Sequence, residues 1–288
     1  MSASPIVLSW LLPWEFSPTV LLCTVVAATL FWLGTRRLER TGQAPGWARR
    51  ISFYLGLIVL YVPLQTHYDY LAQHMFWIHR LQHLLLHHVG PMLVAIAVPW
   101  ETMAAGLPGR ARAPLRDLWR SRPVRITYGF VQQPVVASLL FVGLIYFWLW
   151  PDVHFVAMLN ATDYKLMNWS MAVDGLLFWW LMLDPRTREE GAQMGLGARI
   201  PTVMLLIVPQ ILIGAYLSLH TQVIYDVYAV CGRLWPLSPV TDQQIGGLLT
   251  WIPPSMMSVV AAIILLRRWM VSDDRRLRVG ATAAVTRR

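Results

Sequence analysis

Seven stretches of predominantly apolar residues recur along the chain, at roughly 18–34, 51–67, 72–98, 128–150, 164–184, 199–220 and 246–269. Each is long enough to cross the ~30 Å hydrocarbon layer of a bilayer as a helix. Lipid offers the backbone no hydrogen-bond partner, so a segment of this kind must satisfy its own N–H and C=O groups, which an α-helix does. The expected fold class is therefore all-α: a polytopic membrane protein built as a seven-transmembrane-helix bundle.

Charge is both scarce and segregated. Of 288 residues, 56% are hydrophobic and only 14% charged, too few to cover a soluble domain of this length. The formal net charge of +9 invites a nucleic-acid reading, but the positions of the basic residues exclude it. Arg36, Arg37, Arg40, Arg49 and Arg50 follow the first stretch; Arg110, Arg112, Arg116, Arg120, Arg122 and Arg125 follow the third. Arg186, Arg188 and Arg199 follow the fifth, and Arg267, Arg268, Arg275, Arg276, Arg278, Arg287 and Arg288 end the chain. The alternate loops hold only Lys165 and Arg233. Basic loops stay in the cytoplasm, so the N-terminus is expected outside and the C-terminus inside.

Three regions follow: an extracytoplasmic segment 1–17, the membrane domain 18–270 and a basic cytoplasmic tail 271–288, expected to be solvated and disordered. The opening "MSASPIVLSWLLPWEF" has no basic n-region and reads as a mature start lying in the interface on Trp10 and Trp14. The basic segment 100–126, with Leu115, Leu118 and Trp119 interleaved, reads as an interfacial segment held to anionic lipid. Cys23 and Cys231 belong to no CxxC pair and suggest a disulfide only weakly.

Against this background "MFWIHRLQHLLLHHVGPML", residues 75–93, is anomalous. Ionisable groups in hydrocarbon cost free energy and mark functional candidates. By depth, His67, His74, His79, His83, His154 and His220 fall in the outer half, His87 just past the middle and His88 nearer the cytoplasm. His79, His83 and His87 follow at i, i+4 and i+8 and share a helical stripe with Met75. Imidazoles at i, i+4 can ligate one metal ion. Histidine with methionine suits Cu(I), a soft ion, better than Mg or Ca. Ordinary cross-helix hydrogen bonding is the alternative for any one of these histidines. Arg80 and Asp174 also lie within spans; Arg80 either pairs with Asp174 or reaches toward Asp69. Met167, Met171 and Asp174 share one face of the fifth span, as further soft ligands or as packing. Proline at 91 frees the carbonyl of residue 87 and predicts a kink; Pro63, Pro209 and Pro253–Pro254 interrupt their spans similarly.

Three motifs resemble a known family. "HRLQHLLLHHVGPMLVAIAVPW" resembles a His-Met-x-x-His core running into an apolar helix that ends in proline, with His79 and His83 at the histidine positions and Arg80 in place of the methionine. "DGLLFWWLMLDP" resembles its Gly-Leu-Leu-Phe-Trp stretch, and "SPVTDQQIGGLLTWIP" its Asp-Gln-Gln…Trp motif. Over about residues 50–270 the chain resembles the polytopic CtaG family of cytochrome c oxidase assembly factors, first associated with caa-type oxidases. The resemblance implies a multi-pass, non-enzymatic protein of the bacterial plasma membrane, concerned with copper reaching the oxidase. It departs from the family where Pro151 follows Trp150 and where Met167 and Asn168 stand on the fifth span; other members often carry histidines in these places.

The expected ligand set for Cu(I) is His79, His83, Met75, His74, His67 and His87. Arg80, Asp174, Asp242, Gln243 and Trp251 are expected in structural or partner-facing roles, with Asp242 a candidate N-cap for the seventh helix. The expected partners are the copper-containing membrane subunit of the oxidase, a periplasmic copper donor and the lipid membrane. The alternatives are a membrane cytochrome binding haem b and an ion or proton transporter. The first needs histidines on facing helices, and the fourth, fifth and seventh stretches have none, which makes haem the poorer fit.

Overall fold

The computed structural model describes residues 12–286, with side chains described through 271. Trp10, Arg287 and Arg288, and so part of the expected interfacial segment and tail, lie outside the described residues. Among the described residues the protein is helical, with no strand.

In chain order the elements are α1 (Pro18–Glu39), α2 (Trp47–Gln65), α3 (Tyr68–His74), α4 (Phe76–Leu84), a π-helical turn (Leu85–Val89) and α5 (Gly90–Ala97). Then come α6 (Pro99–Gly106), α7 (Gly109–Arg120), α8 (Arg122–Val131), α9 (Pro134–Leu149), α10 (Pro151–Leu159) and α11 (Ala161–Leu183). The last are α12 (Leu196–Leu205), α13 (Ile207–Leu219), α14 (Val227–Val230) and α15 (Pro239–Thr286). Proline opens several of them, where its missing N–H costs nothing. Ser17 caps Val20 N and Asn160 caps Thr162 N and Asp163 N.

Five helices are long and apolar enough to cross a membrane: Pro18–Glu39, Trp47–Gln65, Ala161–Leu183, Leu196–Leu219 and Pro239–Val271. Two bent pairs raise the number to seven if each is one crossing: Phe76–Ala97 with Pro99–Gly106 (69°) and Arg122–Val131 with Pro134–Leu149 (66°). The first bend falls on Val98, a β-branched residue held at φ 51 between Ala97 and Pro99. The following proline disfavours the helical conformation there. Gly34 lets α1 cross α6 with its backbone against the Thr102 carbonyl, where a Cβ would collide.

The distribution of polarity is inverted relative to a soluble protein. Ile58, Leu139, Val208, Leu212 and Ile263 are exposed, while His79, Arg80, Gln82, His83, His87, His88, His154 and Asp174 are buried. Apolar side chains facing outward and polar ones inward are what a lipid solvent demands.

Two expectations are corrected. The chain past residue 270 is helical: α15 continues to Thr286, with no proline after Pro254 to stop it. Cys23 and Cys231 are both free, so the weakly suggested disulfide is not formed.

Candidate functional site

The histidine-bearing rod of α4, the π turn and α5 sits at the centre of the bundle, against α2, α11 and α15. Its start is fixed by a residue far away in sequence. Asp242, near the start of α15, accepts from the backbone N–H of Phe76 (3.0 Å) and of Trp77 (2.8 Å), and pairs with Arg233. Asp242 therefore caps α4. The expectation that it caps its own helix is corrected: Ser238 takes that role, its hydroxyl accepting from Thr241 N. Gln243 accepts from Ile224 N (2.7 Å) and donates to Gln222 O (3.0 Å), tying the 220–226 loop to α15. Trp251 packs against Gly214, where a Cβ would collide with it.

One turn below the cap, the Nε2 atoms of His79 and His83 stand 3.1 Å apart, and both rings are fully buried. At a metal–nitrogen bond of about 2.0 Å, two nitrogens of one coordination shell are separated by about this much. Both imidazoles come from one helix rather than facing each other across a gap. His154, from α10, lies with its ring 5.2 Å from that of His79, held by Trp148 O on Nδ1 (2.9 Å) and the Tyr228 hydroxyl on Nε2 (3.0 Å). Burial holds its pKa down to about 4, so it is neutral at ordinary pH. Tyr228 also approaches Met158 Sδ at 3.9 Å, and the Tyr164 ring is 5.9 Å from His79.

Arg80 faces α15, its Nε donating to Thr250 Oγ1 (3.2 Å) and its Nη1 to His83 Nδ1 (3.3 Å). Neither expected partner is used. Asp174 instead pairs with His87 Nε2 (2.9 Å), and Asp69 accepts from Gln73, Gln82 and Tyr164. Arg80, His83, His87 and Met171 line one cavity of about 10 Å³, about the room a single water needs.

The expected ligand set is divided among separate places. His79 and His83 meet. His87 leaves their stripe because the π turn shifts the register; its ring stacks on Phe141 (4.1 Å) and its Nε2 is taken by Asp174. Met75 is the extended cap residue of α4: its carbonyl accepts from His79 N (3.1 Å), while its side chain packs with Ala72 and Ile78. His74 bonds Tyr70 O (2.7 Å), and His67 joins the Trp14–Tyr70 ring cluster above. Among the described residues no group of three or more His, Cys, Asp or Glu side chains is gathered to hold a metal ion.

The carbonyl expected to be freed by Pro91 has a partner outside its own helix. The freed carbonyl of His87 accepts from the Trp179 indole (3.2 Å), an approach that Gly175 permits because any Cβ there would strike that carbonyl. Sequence reasoning missed Tyr164 and Tyr228, whose rings approach His79, Tyr225, whose ring approaches His154, and Arg199. That fully buried guanidinium donates to the carbonyls of Met194, Asp184 and Arg186, closing the end of α11. No sequence signal beyond its place in a basic loop marks Arg199.

The model of the cytochrome c oxidase caa3 assembly factor family matches residues 29–272. Two curated relatives, uncharacterized proteins of Mycobacterium bovis and Mycobacterium tuberculosis, are each 23% identical over 269 residues. Those matches cover 91% of this chain and 40% of each relative, so the chain spans about two fifths of their length. No solved structure matches.

Proposed function

The chain belongs to the cytochrome c oxidase caa3 assembly factor family, and from that premise we propose that it serves oxidase assembly by holding Cu(I) transiently between His79 and His83. The observation that carries this reading is the 3.1 Å separation of two buried Nε2 atoms on a centrally placed helix. Met171, on the wall of the cavity that His83 lines, supplies a soft thioether nearby. A carrier has to release its cargo, and two imidazoles leave coordination positions for a donor or a client to fill. The chain crosses the bacterial plasma membrane seven times in this reading, each bent pair counting once, with its N-terminus outside. Copper arrives from a periplasmic donor and leaves to the copper-containing membrane subunit of the oxidase.

The test is the joint substitution His79→Ala and His83→Ala. Purified protein loaded with Cu(I) in detergent is expected to lose its bound copper on this change while keeping its helical content. In cells, oxidase activity is expected to fall with the abundance of this protein unchanged. Full copper retention, or normal oxidase assembly in that strain, overturns the reading.

A further inference from the structure

His154, on α10, is fully buried beside the histidine pair without belonging to it. Its ring stands edge-on to that of His79, with centroids 5.2 Å apart and planes at 71°. The Trp148 carbonyl, near the end of α9, lies 2.9 Å from its Nδ1. A carbonyl can only accept, so Nδ1 carries the proton and Nε2 keeps a lone pair. That lone pair accepts from the Tyr228 hydroxyl at 3.0 Å. Metal-binding histidines are set in this way: one ring nitrogen donates to a backbone carbonyl, which fixes the tautomer and presents the other nitrogen as the ligand. In the pair itself the two Nε2 atoms are turned on each other.

The Tyr228 hydroxyl can let go. It has one proton and two acceptors within reach, His154 Nε2 and, at 3.9 Å, Met158 Sδ. Turning to the thioether frees the imidazole and leaves the hydroxyl with a partner. Tyr228 is carried by α14, a helix of four residues in the segment between α13 and α15. That segment is held at Ile224 and Gln222 by Gln243, and at Arg233 by Asp242, the carboxylate that also caps α4. The cover over the pair and the start of the helix that bears it therefore hang on adjacent residues of α15.

We propose that His154 is a third histidine donor for Cu(I) at His79 and His83, kept in reserve by the Tyr228 hydroxyl. This rests on the reading of that pair as a copper site. The three rings are not gathered into a metal-binding set while Tyr228 holds Nε2. Taking up the ion breaks the Tyr228–His154 hydrogen bond. Re-forming that bond withdraws the third donor and favours release to the client.

Purified protein in detergent is loaded with an equimolar amount of Cu(I) without oxygen, and X-ray absorption at the copper edge reads the number and kind of ligands. The wild type should show three nitrogen donors, and His154→Gln two, with copper still bound. Glutamine offers the Trp148 carbonyl a donor and the Tyr228 hydroxyl an acceptor, so a role in packing alone is preserved. Tyr228→Phe keeps the ring and removes the competitor for Nε2. It should tighten Cu(I) binding about fivefold against a chelator, the worth of one hydrogen bond no longer given up. Two-coordinate copper in the wild type, or sulfur in place of the third nitrogen, overturns this proposal and leaves the pair standing as the copper site. Unchanged or weaker binding by Tyr228→Phe with its helical content intact overturns it as well. A wild type that binds no Cu(I) overturns the reading of the pair and this proposal with it.

Discussion

Nη1 of Arg80 donates to Nδ1 of His83 across 3.3 Å. A guanidinium has no acceptor, so Nδ1 must offer a lone pair and His83 must carry its proton on Nε2. That proton points at Nε2 of His79, 3.1 Å away, which then accepts. The resting pair is therefore hydrogen-bonded through the two atoms that a metal would need. To ligate through Nε2, His83 has to move its proton to Nδ1, against the guanidinium. In the proposed reading Arg80 would oppose Cu(I) at this pair. Replacing it as Arg80→Met removes the opposition and adds a thioether, and should tighten Cu(I) binding about tenfold, roughly 1.4 kcal/mol. Competition against a Cu(I) chelator reads this directly; an unchanged affinity would remove Arg80 from the account.

The cap on α4 yields a graded expectation. Asp242→Ala removes the acceptor for two backbone N–H groups and the partner of Arg233, and should cost about 2–4 kcal/mol. Asp242→Asn keeps one oxygen acceptor and loses the charge, so it should cost less than the alanine variant. Thermal unfolding in detergent orders the three proteins. Equal stability of the two variants would show that the ion pair, and not the cap, matters.

These two sites show what the sequence carried and what it did not. The helical class and the apolar stretches were legible because lipid forces a period and a length on the chain. His79 and His83 were legible because i, i+4 is a local relation that a straight helix preserves. His87 and Met75 were not, since a π turn shifts the one and an extended cap conformation sends the other's side chain to Ala72 and Ile78, and the pattern of apolar residues records neither. Asp242 was placed near the right helix end and assigned to the wrong helix. Its true partners are 166 and 165 positions away, and a carboxylate near two helix starts gives no sequence sign of which it serves. Arg80 was expected to find a carboxylate, because an unpaired charge in lipid is costly. A hydroxyl and an imidazole took that role instead.

Gly175 is the point at which α11 touches the π turn. Because its missing side chain admits the His87 carbonyl, Gly175→Ala should push the helices apart, lengthen the Trp179–His87 hydrogen bond and unseat the His87–Asp174 pair. A loss of about 2 kcal/mol or more is expected, as for other overpacked cores. Trp179→Phe leaves Gly175 in place, removes the hydrogen bond so that one carbonyl is unsatisfied, and shrinks a fully buried ring; it should cost about 1–3 kcal/mol. Thermal unfolding of both variants separates close approach from hydrogen bonding. If alanine at 175 is neutral, the contact is not tight.

Asp69, in the short helix α3 between two spans, gives a pH signature of defined sign. Burial is the largest influence on its carboxyl and raises the pKa from 3.8 to about 6, against the hydrogen bonds from Tyr164, Gln82 and Gln73 that lower it. A carboxyl that binds its proton more tightly when folded contributes stability at low pH. That contribution is complete below about pH 4 and is lost as the pH rises through about 6. Buried His154, whose pKa is held down to about 4, works in the opposite direction over the same range. The wild-type curve alone is therefore a sum of opposing slopes, and the readable quantity is its difference from Asp69→Asn. Between pH 4 and pH 7 the wild type should lose stability relative to the asparagine variant, by at most roughly 3 kcal/mol. Parallel unfolding curves for the two proteins across that interval would mean that Asp69 stays ionised, its three donors outweighing its burial.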